Sequence, residues 1–133
     1  MIKSLFTSKA SKSLLNRSVA YVVKILCEKD HKDIKAVYSD FPIPKKVVRE
    51  STREGFLPEV TAVKDGQYRL FAIETRETLN LEETDARWLL FAEYSRQNDG
   101  LFYIVFPTVL MTHVKQKMQN LGIEARLWQT PID

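Results

Sequence analysis

Pro58-Glu59-Val60-Thr61-Ala62-Val63-Lys64-Asp65-Gly66-Gln67-Tyr68-Arg69-Leu70-Phe71-Ala72-Ile73-Glu74-Thr75-Arg76 is the stretch on which the fold turns. Two runs of strand composition, Glu59 to Lys64 and Gln67 to Thr75, flank Asp65-Gly66. Asp-Gly between such runs is a strong hairpin signal, because both turn residues tolerate positive φ. A two-residue turn sets Lys64 opposite Gln67 and Glu59 opposite Ala72. Side chains alternate faces along a strand. Val60, Ala62, Phe71 and Ile73 therefore share a core face. Glu59 lies on the other face, with Glu74 as its diagonal neighbour at roughly 7–8 Å. Arg76 joins them if the strand runs on past Thr75.

Outward from the hairpin, apolar spacing predicts the remaining elements. Ser11 or Ser13 caps a helix reaching about Lys29, with Leu15, Val19, Val22 and Leu26 as its buried stripe and Val23 and Ile25 widening it. Asp30 to Asp33 ends that helix and opens a strand over Ile34 to Tyr38. Ser39 to Leu57 reads as irregular, with Pro42 and Pro44 disfavouring regular structure, although a short strand centred on Val47 and Val48 is an alternative. Downstream, Leu81 to Asp85 opens a helix with Trp88, Leu89, Phe91 and Ala92 apolar, closed by Arg96 to Gly100. Leu101 to Phe106 is a continuous apolar run, as in a strand covered on both faces. A helix from Thr108 to Asn120 ends at Leu121-Gly122, and Ile123 to Gln129 is a last strand. The order α-β-β-β-α-β-α-β predicts a mixed α/β sheet with helices on both faces.

Composition agrees with one folded domain spanning residues 1–133. Apolar residues make up 44% and charged residues 28%, which excludes a disordered chain. The single cysteine, Cys27, excludes a disulfide framework and is expected to be a buried thiol; it points to a reducing, cytoplasmic setting. The basic start from Met1 to Ala10 has no leader-like apolar core, and no apolar run is long enough to span a bilayer. A net charge of +3 favours polyanions weakly. His31 is expected in a solvated loop and His113 on a helix surface, so neither suggests zinc. Neither a phosphate-binding glycine loop nor a Ser-His-Asp arrangement is present.

Two carboxylates and a cation converging at a strand end suit a hard divalent ion. Pro58-Glu59 followed by Ile73-Glu74-Thr75-Arg76 resembles a degenerate PD-(D/E)xK motif, the mark of the restriction endonuclease-like nuclease superfamily. The resemblance covers nearly the whole chain, since that superfamily's core is also a helix, a three-stranded meander, a helix and a strand. It implies that Glu59 and Glu74 hold magnesium and that Arg76 stands for the usual lysine, with phosphodiester hydrolysis as the chemistry. Arginine can stabilise an oxyanion but cannot act as a base. The resemblance further implies a nucleic acid partner, DNA first, contacted by Lys45, Lys46, Arg49, Arg53 and Arg87. A homodimer or larger protein partner would supply target choice. Arg87, and less directly Tyr94 and Arg96, could reach the acids from the following helix. Trp88, Phe91, Phe102, Tyr103 and Trp128 read as core or dimer surface. The alternative is an inactive nuclease-fold module for protein assembly or nucleic acid binding. Plainer still, Glu59, Arg69, Glu74 and Arg76 could be solvated or salt-bridged hairpin residues of modest worth.

Overall fold

Residues 9–132 are described by the computed structural model; most of the basic start, residues 1–8, lies outside them. Helix α1 covers Lys9–Glu28, and Leu15, Val19, Val22, Val23 and Leu26 form its buried stripe. It starts before either expected cap. Ser11 instead sits inside the first turn, buried, with its hydroxyl 2.7 Å from that of Thr75. Cys27 is exposed rather than buried, because one residue past Leu26 the helix has rotated away from the apolar stripe.

Strand β1, Lys32–Ala36, begins two residues earlier than its apolar pattern indicated. It pairs antiparallel with β4, Val60–Lys64, through a register irregularity between Lys32 and Lys35, where Asp33 has φ 50°. The stretch from 39 to 57 carries a small hairpin, β2 (Val47–Val48) against β3 (Gly55–Phe56), so the short-strand alternative describes it better than the irregular one. Val47 is buried in the core and Phe56 packs against it. Strand β5, Gln67–Ile73, pairs with β4 in the register expected from the turn, Lys64 to Gln67 through Val60 to Phe71. Asp65 and Gly66 have φ of 52° and 78°, the doubly positive geometry that favours glycine at the second position.

A four-residue helix, α2 (Arg76–Leu79), follows, in a stretch to which the apolar spacing assigns no element. Helix α3 runs Glu83–Gln97, β6 Leu101–Pro107, α4 Met111–Leu121 after a 3-10 turn at Thr108–Leu110, and β7 Arg126–Thr130. Gly122, at φ 66°, ends α4 as expected. The five-stranded sheet has the order β1-β4-β5-β6-β7, antiparallel over the first three strands and parallel over the last three.

Each sheet face buries a separate apolar cluster. Val60, Ala62, Phe71, Ile73 and Val105 pack under α1. Leu70, Ala72, Phe102, Ile104 and Phe106 pack under α3 and α4, which contribute Trp88, Leu90, Phe91 and Val114. Helices thus cover both faces of a mixed sheet, and the face carrying the two glutamates is itself roofed. Among the described residues no helix is long and apolar enough to cross a membrane.

Candidate functional site

Strand β4 begins at Val60, opposite Phe71, two residues short of pairing with Ile73 at the far end of β5. Pro58 has no N–H to offer that ladder. The side chain of Glu59 fills the gap: its Oε1 accepts the Ile73 amide at 2.8 Å. Glu74 follows on β5, its own amide donating to the Val105 carbonyl of β6 at 2.8 Å. The two acids therefore meet at the C-terminal end of the parallel strands, as the hairpin register predicts.

Helix α3 supplies the cation. Arg87 Nη2 lies 3.0 Å from Glu74 Oε1 and 2.9 Å from Oε2, and Arg87 Nη1 lies 3.9 Å from Glu59 Oε1. Trp88 Nε1 donates to Glu74 Oε2 at 2.9 Å, and the Thr78 hydroxyl donates to Oε1 at 2.7 Å. Thr84 accepts from Arg87 Nη2 at 3.3 Å while donating to the Thr78 carbonyl. The Glu74 side chain is 0% exposed and the Glu59 side chain 18%. Burial, outweighing Arg87, pushes the Glu59 carboxyl up to about 7, with Glu74 adding to the rise. Burial alone would lower the Arg87 pKa, but the Glu74 and Glu59 carboxylates raise it above its ordinary value.

This donor set does not fit the magnesium expected of Glu59 and Glu74. Both oxygens of Glu74 are already occupied by an arginine, a hydroxyl and an indole. Magnesium needs carboxylate oxygens facing space for several waters. Among the described residues no group of three or more His, Cys, Asp or Glu is placed to share a metal ion.

Several other expectations are corrected. Arg76 does not join the acids: Thr75 leaves the strand as an N-cap, its Oγ1 accepting the Thr78 amide at 3.1 Å while Thr78 Oγ1 accepts the Thr75 amide at 2.8 Å. That capping box turns the chain into α2 and leaves Arg76 exposed. Arg87 reaches the acids from the following helix, one of the placements the sequence offered, and is buried between the carboxylates rather than exposed for a nucleic acid contact. Tyr94 and Arg96 lie at the far end of α3, because seven residues of helix span about 10 Å. Tyr94 meets Tyr68 edge-on at 5.7 Å, and Arg96 lines a separate cleft with Arg126. Arg69 faces the α1 side, where Nη1 approaches His31 Nε2 at 3.3 Å; His31 is buried, with Nδ1 donating to the Leu26 carbonyl at 3.2 Å. Of the basic residues on the arm formed by residues 39–57, Lys45, Lys46 and Arg53 are exposed, while Arg49 is tied to Glu93 and Glu54.

A cleft of about 300 Å³ opens beside Glu59 and Arg87, with Lys12, Tyr38 and Lys46 in its wall. Neither Lys12 nor Tyr38 stood out in the sequence. Thr84, Arg87 and Trp88 at i, i+3 and i+4 do carry a signal, since that spacing aims them along one helix face. Compared with protein-family models, curated proteins and solved structures, the chain matches none.

Proposed function

We propose that the chain is a restriction endonuclease-like domain that binds nucleic acid without metal-dependent hydrolysis. The observation that carries this reading is the ion pair closing the acid site, with Arg87 bonded to both oxygens of Glu74. The meander of β1, β4 and β5 followed by parallel β6 and β7 supports the family resemblance, as do two acids meeting at strand ends. Lys45, Lys46 and Arg53 around the arm, exposed and without an ion-pair partner among the described residues, support a polyanionic partner on a chain of net charge +3.

The test pairs calorimetry with magnesium and manganese against cleavage and binding assays on DNA and RNA. The expected result is no divalent-ion uptake, no cleavage, and binding that survives a chelator but weakens with salt. Magnesium-dependent cleavage that Glu59→Gln abolishes would overturn the proposal and restore the catalytic reading. A second reading, a module for protein assembly, draws on the exposed apolar side chains of Phe41, Ile43, Val48 and Leu57. Concentration-dependent sedimentation would favour it.

A further inference from the structure

The wall of the cleft brings together groups that ion pairing at its floor does not use. Lys12 comes from α1, Lys46 from the start of the arm and Tyr38 from the turn after β1. Neither lysine forms an ion pair or a side-chain hydrogen bond with any of the described residues. Tyr38 is 58% exposed and has φ 54°, a left-handed conformation that a bulky aromatic residue rarely adopts.

The surrounding turn holds it there. Ala36 N–H donates to the Pro42 carbonyl at 2.9 Å and Val37 N–H to the Glu59 carbonyl at 2.9 Å. The Ser39 hydroxyl donates to the Ala36 carbonyl at 2.9 Å and itself accepts the Phe41 amide at 3.1 Å. A residue strained into exposing an apolar ring at a cleft rim, when burial would stabilise it, is best explained by something that covers the ring. Glu59 and Glu83 also line the cleft; Arg87 is paired with Glu74 and Glu59, which leaves Lys12 and Lys46 as the cations of the wall without an ion-pair partner among the described residues.

An exposed aromatic ring beside unpaired lysines matches the chemistry of an unpaired nucleotide, whose base stacks and whose phosphates pair with ammonium groups. The volume, at the lower end for ligand sites, suits a single nucleotide unit. A duplex keeps its bases stacked on one another and cannot offer one to Tyr38 without extruding it. We propose that the cleft takes an unpaired nucleotide of a single strand, with the base on Tyr38 and the flanking phosphates between Lys12 and Lys46. This rests on the reading of the chain as a nucleic-acid-binding module.

Fluorescence anisotropy of the full chain, in chelator, tests it with labelled oligo-dT, oligo-U and a duplex of mixed sequence. The single strand is expected to bind more tightly than the duplex, and the two homopolymers separate a DNA from an RNA ligand. Tyr38→Ala should weaken single-strand binding about tenfold, while Tyr38→Phe retains it. Lys12→Ala and Lys46→Ala should each flatten the salt dependence by about 0.7 in log–log slope. Tyr38 is exposed, so circular dichroism should show these variants folded. Duplex binding as tight as single-strand binding, indifferent to Tyr38→Ala, would overturn the inference and leave the nucleic acid reading standing. No binding of any oligonucleotide would remove both readings and assign the exposed ring to a protein interface.

Discussion

Arg87 is the residue on which the candidate site depends. It is buried, and its partner Glu74 has no access to water, so removing either charge strands the other in a low-dielectric interior. Breaking such a pair typically costs about 3–5 kcal/mol. Arg87→Ala should therefore lower the urea midpoint sharply, and Arg87→Lys should recover only part, since an ammonium cannot reproduce the guanidinium fork. Glu59 makes a second prediction, this time in pH. Its folded pKa, about 7, stands above the ordinary value of 4.5, so the folded state holds a proton that the unfolded chain releases. That contribution is fully present below pH 4.5 and is lost as pH rises through 7. Stability should fall across this window with a slope of at most about 1.4 kcal/mol per pH unit. Urea titrations of wild type and Glu59→Gln check this, and an equal slope in both would exclude Glu59 as the source.

At the scale of elements, the junction between β5 and α3 decides what the acids can do. Thr75 stops the strand and caps α2, and that short helix delivers Thr78 to Glu74 and leads α3 over the sheet face. Without the cap the strand would run on and Arg76 would project beside Glu74, as the unbroken pattern suggests. Thr75→Ala should cost about 1 kcal/mol, up to 2 if the lost contact with Ser11 is not replaced. Hydrogen exchange at the Thr78 amide should accelerate more than exchange in β6. Uniform acceleration would point to global destabilisation rather than a lost cap. The arm of β2 and β3 shows the same dependence on context. Its two-residue strands are too short to stand alone, and Val47 and Phe56 hold them against α3.

Across the whole molecule, the two apolar clusters share one sheet, whose strands send alternate side chains to each. Trp88 sits in the cluster under α3, and Trp128 packs against the cluster under α1. Because β5 and β6 belong to both, the two faces should unfold together. In Trp88→Phe and Trp128→Phe variants, each with one remaining tryptophan, the fluorescence and far-ultraviolet dichroism transitions should coincide. A Trp128 signal that melts ahead of the dichroism would show α1 detaching first.

Local chemistry carried much of this architecture. Asp65-Gly66 determined the turn and its register, the apolar stripe of α1 its buried face, and the run from Leu101 a strand covered on both sides. These depend on neighbours within a few residues, which is why they are legible in the sequence. The pairing of Glu59 with Glu74 at one strand end follows from that register as well. Register leaves both Arg76 and Arg87 as candidates for the cation that reaches them. Arg76 is two residues from Glu74 yet points into solvent, while Arg87, thirteen residues away, lies between the acids. Likewise Cys27 and His31 exchanged their expected burial, because helix rotation and the Arg69 contact set it rather than residue type. Only packing of α3 on the sheet decides whether the acids face water or an arginine, since burial and charge pairing are properties of what lies across the space and not along the chain.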